Sequence, residues 1–183
     1  RDVPDVMINA ILAAEDERFY SHGGVDYLSV LRAAASNLAS GTQQGAGTIT
    51  MQVARNFFLT REKTITRKLR EVLLAWKIEA NLSKDDILQL YVNQIFLGQR
   101  AYGFAAAAQI YFGKSLRDVS PAEAAMLAGL PKAPSAFNPV SNPKRAKSRQ
   151  LYVLRRMHDL KYISSDEFRD AQTIPLAVRQ GLR

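Results

Sequence analysis

The chain has 183 residues, 47% of them hydrophobic, which suits one domain, numbered 1–183, with a substantial core. It has no cysteine, which excludes disulfides and thiolate metal sites, and its two histidines leave little for a histidine-based metal centre. A formal charge of +8 points to an anionic partner: nucleic acid, a phospholipid surface or a phosphorylated substrate.

Pro4 suits the first turn of an opening helix whose stripe runs Ile8, Leu12, Glu15 and Phe19, with Ile11 beside it. Glu15 therefore falls on the face expected to meet the core, and Gly23 and Gly24 end the helix. Asp26 caps a second helix with Tyr27, Leu31, Ala34 and Leu38 on one stripe; Gly41 then opens the polar loop 40-SGTQQGAG-47, which reads as mobile. A short helix is expected from about Thr48 and a long one from about Thr60 to Asn81. In the long one Ile65, Leu69, Val72 and Trp76 form one stripe and Leu74, Ala75 and Ile78 another, so its later half should be buried centrally. Ser83, with Asp86 following, caps a helix carrying Ile87, Leu90 and Tyr91.

The run 104-FAAAAQIYFG-113 reads as a helix of small residues ended by glycine. The run 120-SPAE-123 combines a capping box with proline at the first turn, and 129-GLPKAPSAFNP-139 breaks the helix it starts. A basic helix follows from about Pro143 to Leu160, and Ser164 with Glu167 starts a last short one. With no alternating strand, repeat or low-complexity tract, the expected class is all-α. No apolar run approaches the roughly 18 residues of a membrane span, and the opening Arg1 reads as the start of an excised piece.

Two carboxylates stand out. Burial on its helix face would disfavour the charged form of Glu15 and raise its pKa, which prepares it for proton transfer; the alternative is a solvated helix end or a pair with Arg18. Glu71 lies one turn beyond Arg67 and Lys68, so three charges share a patch on an otherwise buried element, or else form an ordinary surface ion pair. The loop ending at Gly47 delivers Thr48, Thr50, Gln52, Arg55 and Asn56 and the free amides of a helix N-terminus, which suits an anion, although a glycine-rich loop can equally mean flexibility. No phosphate loop of the G-x-x-x-x-G-K-[ST] type is present. Ser141 and Lys144 satisfy S-x-x-K, but Pro143 lies inside the motif and neither S-D-N nor K-T-G occurs, so the match is set aside. Lys144, Arg145, Lys147, Arg149, Arg155 and Arg156 either grip phosphates or form a solvated helix face. His22 and His158 lack ligand spacing, and His22 is expected to hydrogen-bond locally.

The segments 15-EDERFYSHGG-24, 45-GAGTITMQVARN-56, 67-RKLRE-71, 84-KDDILQLYVN-93 and 149-RQLYVLRRM-157 resemble, in order, the five motifs of the family 51 glycosyltransferases. These are peptidoglycan polymerases, found as the N-terminal module of class A penicillin-binding proteins or as monofunctional enzymes. The runs 101-AYGFAAAAQIYFGKS-115 and 129-GLPKAPSAFNP-139 resemble the 1A type. The resemblance implies a lysozyme-like helical fold and the polymerisation of lipid II, with undecaprenyl diphosphate leaving, on the outer (periplasmic) face of the bacterial cytoplasmic membrane. It also implies an anchor outside this chain. By position Glu15 matches the catalytic base and Glu71 the second essential carboxylate. Asp16, Phe19 and His22 match the rest of the first motif, and Thr48, Gln52, Arg55, Asn56, Arg67 and Lys68 match positions that bind substrate or its diphosphate. Gly47, Met51 and Arg55 depart from the usual serine, glutamine and lysine; arginine keeps the charge and gains a bidentate fork.

The implied reaction takes a proton from a sugar hydroxyl through Glu15 and inverts the donor carbon by one in-line displacement. Arg55, Arg67 and Lys68 would neutralise the leaving diphosphate, with a divalent cation (Mg or Mn) held by Glu71 as a further expectation and no organic cofactor. Expected partners are lipid II, the growing glycan, the membrane surface and other cell-wall synthesis proteins, with no nucleic acid. A lysozyme-like muramidase or lytic transglycosylase shares the fold class and a catalytic glutamate but needs a general acid for its alkoxide leaving group. A basic nucleic-acid-binding helical domain explains the charge but neither carboxylate.

Overall fold

The computed structural model describes residues 3–28, 31, 35, 47–58 and 65–179. Ala34, Leu38 and positions 40–46 of the polar loop lie outside them, as does Thr60. The described residues are helical apart from connections and one isolated antiparallel bridge, Phe96 to Tyr102. In chain order the helices are α1 (Asp5–Glu15), α2 (Ile49–Phe58), α3 (Ile65–Asn81), α4 (Lys84–Gln94), α5 (Phe104–Phe112), a 3-10 turn Leu116–Asp118, α6 (Pro121–Ala128), α7 (Pro143–Asp159) and α8 (Ser165–Thr173). The chain forms two compact units: Arg1–Glu17 with Val92–Arg183, and Arg18–Tyr91.

The first unit is organised around α6, which packs against α1, α5, α7 and α8. Every residue from Ala122 to Ala128 is buried, and the four alanines among them let neighbouring backbones come close. Its start is fixed as the sequence predicts: Ser120 Oγ accepts from the Glu123 amide at 3.2 Å while Glu123 Oε1 accepts from the Ser120 amide at 2.9 Å. Ser164 and Glu167 build the same box at the head of α8. Helix α7 buries Ala146, Gln150, Val153, Leu154 and Met157, a helical stripe, and the Gln150 amide donates to the Ala122 carbonyl at 2.8 Å.

In the last turn of α5 a phenol is used structurally. The Tyr111 hydroxyl donates to the Leu97 carbonyl at 2.7 Å, and burial pushes its pKa up to about 12. Gly103, at φ +86°, has no room for a side chain, because a Cβ there would stand 2.3 Å from the Asn93 carbonyl oxygen.

In the second unit α2 packs on α3 around a small core of Val25, Met51 and Ala75, with Val72 against it. Two expectations change here and at the end of α1. The opening helix ends at Glu15, so Phe19 is not on its stripe; it lies in the following turn and is nevertheless fully buried. A helical stretch does begin at Tyr27, directly after buried Asp26, but Tyr27 and Leu31 are exposed. Helix α3 is not buried all round: Glu71, Ala75 and Ile78 face inward, whereas Leu69, Leu73 and Trp76 form an exposed stripe. A helix packed along one side buries one stripe, and periodicity does not say which apolar stripe that is.

Candidate active site

Glu15 is the last residue of α1, and its side chain is only 9% exposed, as its place on the helix face predicts. Arg18 Nε lies 3.5 Å from Asp26 Oδ1. A cation at Glu15 comes from α7: a guanidinium nitrogen of Arg149 stands 3.7 Å from Glu15 Oε1. That spacing makes burial of the carboxylate tolerable and is longer than a hydrogen bond. Arg149 is itself held firmly, its guanidinium 4.8 Å from the Tyr152 ring centre and 5.6 Å from that of Phe137. Gly129 clears the way for the arginine stem, since a Cβ there would come within 2.7 Å of Arg149 Cγ. Asp16 is buried beside Glu15, and its amide closes α1 on the Leu12 carbonyl at 3.0 Å.

The rest of the first motif belongs to the second unit. His22 Nδ1 accepts from the Gly24 amide at 3.0 Å and lies 3.3 Å from Lys84 Nζ, so a neutral ring carries its proton on Nε2. The local hydrogen bond expected of His22 is therefore present. Phe19 packs edge-on to His22, and Lys84 Nζ sits 4.6 Å from the Phe19 ring centre. Lys84 also donates to Glu79 Oε1 at 2.6 Å, the oxygen that accepts from the Thr50 hydroxyl at 2.7 Å. Phe19 thus serves packing, and Lys84 ties α4, α3 and the motif together.

On α2 the polar residues divide. Thr48, Thr50 and Gln52 are buried, whereas Arg55 is half-buried and Asn56 exposed. Thr48 donates to the Gly24 carbonyl at 2.7 Å and accepts from the Met51 amide at 3.1 Å, so one of the amides expected to receive an anion is capped by the chain itself. Gln52 Oε1 accepts from the Tyr91 hydroxyl at 3.4 Å. The departures noted in this segment are physically coherent. Met51 fills the apolar core where glutamine would need partners, and a side chain at Gly47 would meet nothing within 4 Å among the described residues.

On α3, Glu71 is buried at 3% exposure and both its oxygens are matched: Arg67 Nε lies 3.6 Å from Oε1 and Lys68 Nζ 3.3 Å from Oε2. Arg67 is largely buried, and Lys68 is 61% exposed. This is a charge cluster with one carboxylate buried and one cation facing outward, rather than a surface pair. Its oxygens are engaged by two cations, and no group of three His, Cys, Asp or Glu side chains suited to a metal occurs among the described residues, so a divalent ion at Glu71 would draw its remaining ligands from substrate phosphates and water.

Sequence reasoning named Arg149 only within a basic run offered for gripping phosphates, and named neither Lys84, Glu79 nor Gly129 as site residues. Arg149 and Lys84 each open one of the family-like segments, which was the available signal, whereas nothing local distinguishes Glu79.

The first unit thus holds a buried glutamate with an arginine counter-charge, and the second a buried carboxylate flanked by two cations. A family model described as transglycosylase matches residues 1–158. The chain belongs to the transglycosylase family. It is 65% identical over 164 residues to penicillin-binding protein 1A of Neisseria gonorrhoeae, covering 89% of this chain and 21% of that protein. It is 59% identical to a putative transglycosylase of Cupriavidus necator, covering 97% of this chain and 77% of that one. The crystal structure of penicillin-binding protein 1A from Haemophilus influenzae matches 72% of this chain and 16% of its own at 41% identity, with a TM-score of 0.52. The fold is all-α and lysozyme-like, as expected. The chain thus spans about a fifth of the length of the Neisseria relatives.

Proposed function

We propose that this domain polymerises lipid II into glycan strands, with Glu15 as general base and undecaprenyl diphosphate as the leaving group. A sugar hydroxyl is a poor nucleophile at neutral pH, so its proton must be taken as the new bond forms. The observation that carries the reading is the state of Glu15, sheltered from water but balanced by Arg149, which suits a carboxylate kept ready to accept a proton.

A diphosphate needs charge neutralisation more than a proton, and Arg55, Arg67 and Lys68 have the chemistry for it. Glu71 then acts by holding Arg67 and Lys68 in place. A divalent ion, if bound at Glu71, would supply further charge neutralisation at the diphosphate, and no step is assigned to it. A single in-line displacement converts an α-linked donor into a β-linked product, so the transfer inverts and leaves no covalent glycosyl-enzyme. Asp16, His22, Thr48, Gln52 and Asn56 support the substrate contacts; for Thr48 and Phe19 the support is through packing and capping.

Membrane contact follows from chemistry of a second kind. Leu69, Leu73 and Trp76 expose one apolar stripe of α3, and Tyr27, Leu28 and Leu31 are exposed in the same unit. No helix among the described residues is long and apolar enough to cross a membrane. These side chains and the net charge of +8 suit the anionic surface of the cytoplasmic membrane, on its outer face, where a lipid-linked substrate is met. Electrophoresis of products from labelled lipid II tests the function: a ladder of lengthening glycans supports it. Release of soluble muropeptides from purified strands without chain growth would favour the lytic reading.

A further inference from the structure

Glu15, Asp16 and Glu17 follow one another at the C-terminal end of α1, whose last turn carries no basic residue. That end is the negative pole of the helix dipole, where carboxylates are disfavoured and terminal turns fray. A base that must be held to within a fraction of an ångström is badly placed there unless another element supplies the positive charge.

Helix α7, which packs against α1, supplies it twice. Arg149 and Arg156 are two helical turns apart, with fully buried Val153 between them, so both leave the same side of α7. Arg149 reaches Glu15, and a terminal guanidinium nitrogen of Arg156 donates to Glu17 Oε2. The Arg156 and Glu17 side chains are 30% and 21% exposed, so the pair is partly shielded from water and salt. Arg156 is therefore not part of a solvated basic face, and Glu17 is not a spare charge.

We propose that Glu17 and Arg156 are positioning residues for glycosyl transfer: their ion pair pins the chain two residues past Glu15, fixing the last turn of α1 and with it the carboxylate. This rests on the reading of Glu15 as base. Arg149 balances the charge of the base, and Arg156 fixes the backbone that carries it.

The test compares the wild-type chain with Glu17→Gln, Arg156→Met and the exchanged pair Glu17→Arg with Arg156→Glu. One readout is steady-state glycan synthesis from labelled lipid II, the other amide hydrogen exchange at Asp16, whose amide bonds the Leu12 carbonyl, with Phe168 in α8 as internal reference. Each single change should lower kcat about tenfold with KM within about twofold, because a displaced base costs turnover rather than binding. It should also speed exchange at Asp16 by at least about threefold while Phe168 is unchanged, and the exchanged pair should recover most of both. Unaltered kcat and Asp16 protection in the single variants would overturn the proposal, as would loss that the exchanged pair fails to recover. If the wild-type chain makes no glycan, the functional reading fails, and Asp16 exchange alone then decides whether the brace exists.

Discussion

Thr48 separates a substrate contact from a structural one most cleanly, because the residue is 2% exposed and its hydroxyl is used in two directions within the protein. In Thr48→Val the shape is kept and the hydroxyl lost. Losing the cap on the Met51 amide costs about 1 kcal/mol, and leaving the carbonyl of buried Gly24 without its donor costs roughly 1–3 kcal/mol more. The sum, roughly 2–4 kcal/mol, corresponds to a fall in Tm of about 5–15 °C for a chain of this size. Thr48→Ser should recover most of it, since serine both caps and donates. Thermal unfolding of the three proteins, followed by circular dichroism, measures the shift, and lipid II titration at a temperature where all are folded measures KM. An unchanged Tm in Thr48→Val together with a raised KM would refute the structural account and return the hydroxyl to the substrate.

The charge cluster on α3 should behave asymmetrically. Lys68 is mostly exposed, so Lys68→Ala should shift stability by under about 1 kcal/mol while lowering turnover about tenfold or more; similar losses in both would make the cluster structural. Arg67→Ala, which strips a buried carboxylate of its sheltered partner, should cost roughly 3–5 kcal/mol in denaturant unfolding. Tyr111 predicts a pH dependence: its folded pKa lies above the ordinary 10, so its contribution is intact below about pH 10 and falls by roughly 2–3 kcal/mol as pH rises to about 12. Tyr111→Phe should lack that slope, read as the difference between urea midpoints of the two proteins, while being less stable at pH 7 because the Leu97 carbonyl loses its donor.

Helix starts were the most legible part of the fold. Ser120 with Glu123, Ser164 with Glu167, Pro143 and Ser83 all open helices where the sequence places them, because a cap is a local arrangement written in adjacent residues. Ends were less so: α1 stops at Glu15 with Asp16 at its C-cap, and no glycine marks that position. The burial of Glu15 was legible from periodicity and that of Glu71 was left open against a surface pair, while the same rule buried the later half of α3, where Leu73 and Trp76 are in fact exposed. Apolar spacing identifies a stripe without naming what covers it, and an exposed apolar stripe has the same period as one turned to a core. Arg149 at Glu15 and Glu79 beneath Lys84 were illegible for another reason. Each pairing is made by tertiary packing between separate helices, and no local signal encodes it.

The central claim concerns a single proton, and replacing Glu15 by glutamine tests it without changing the size of the side chain. With substrate bound, Glu15→Gln should form glycan from labelled lipid II at least about a thousandfold more slowly than the wild type while lipid II affinity stays within a few-fold. Chain growth at a rate near that of the wild type would contradict the account.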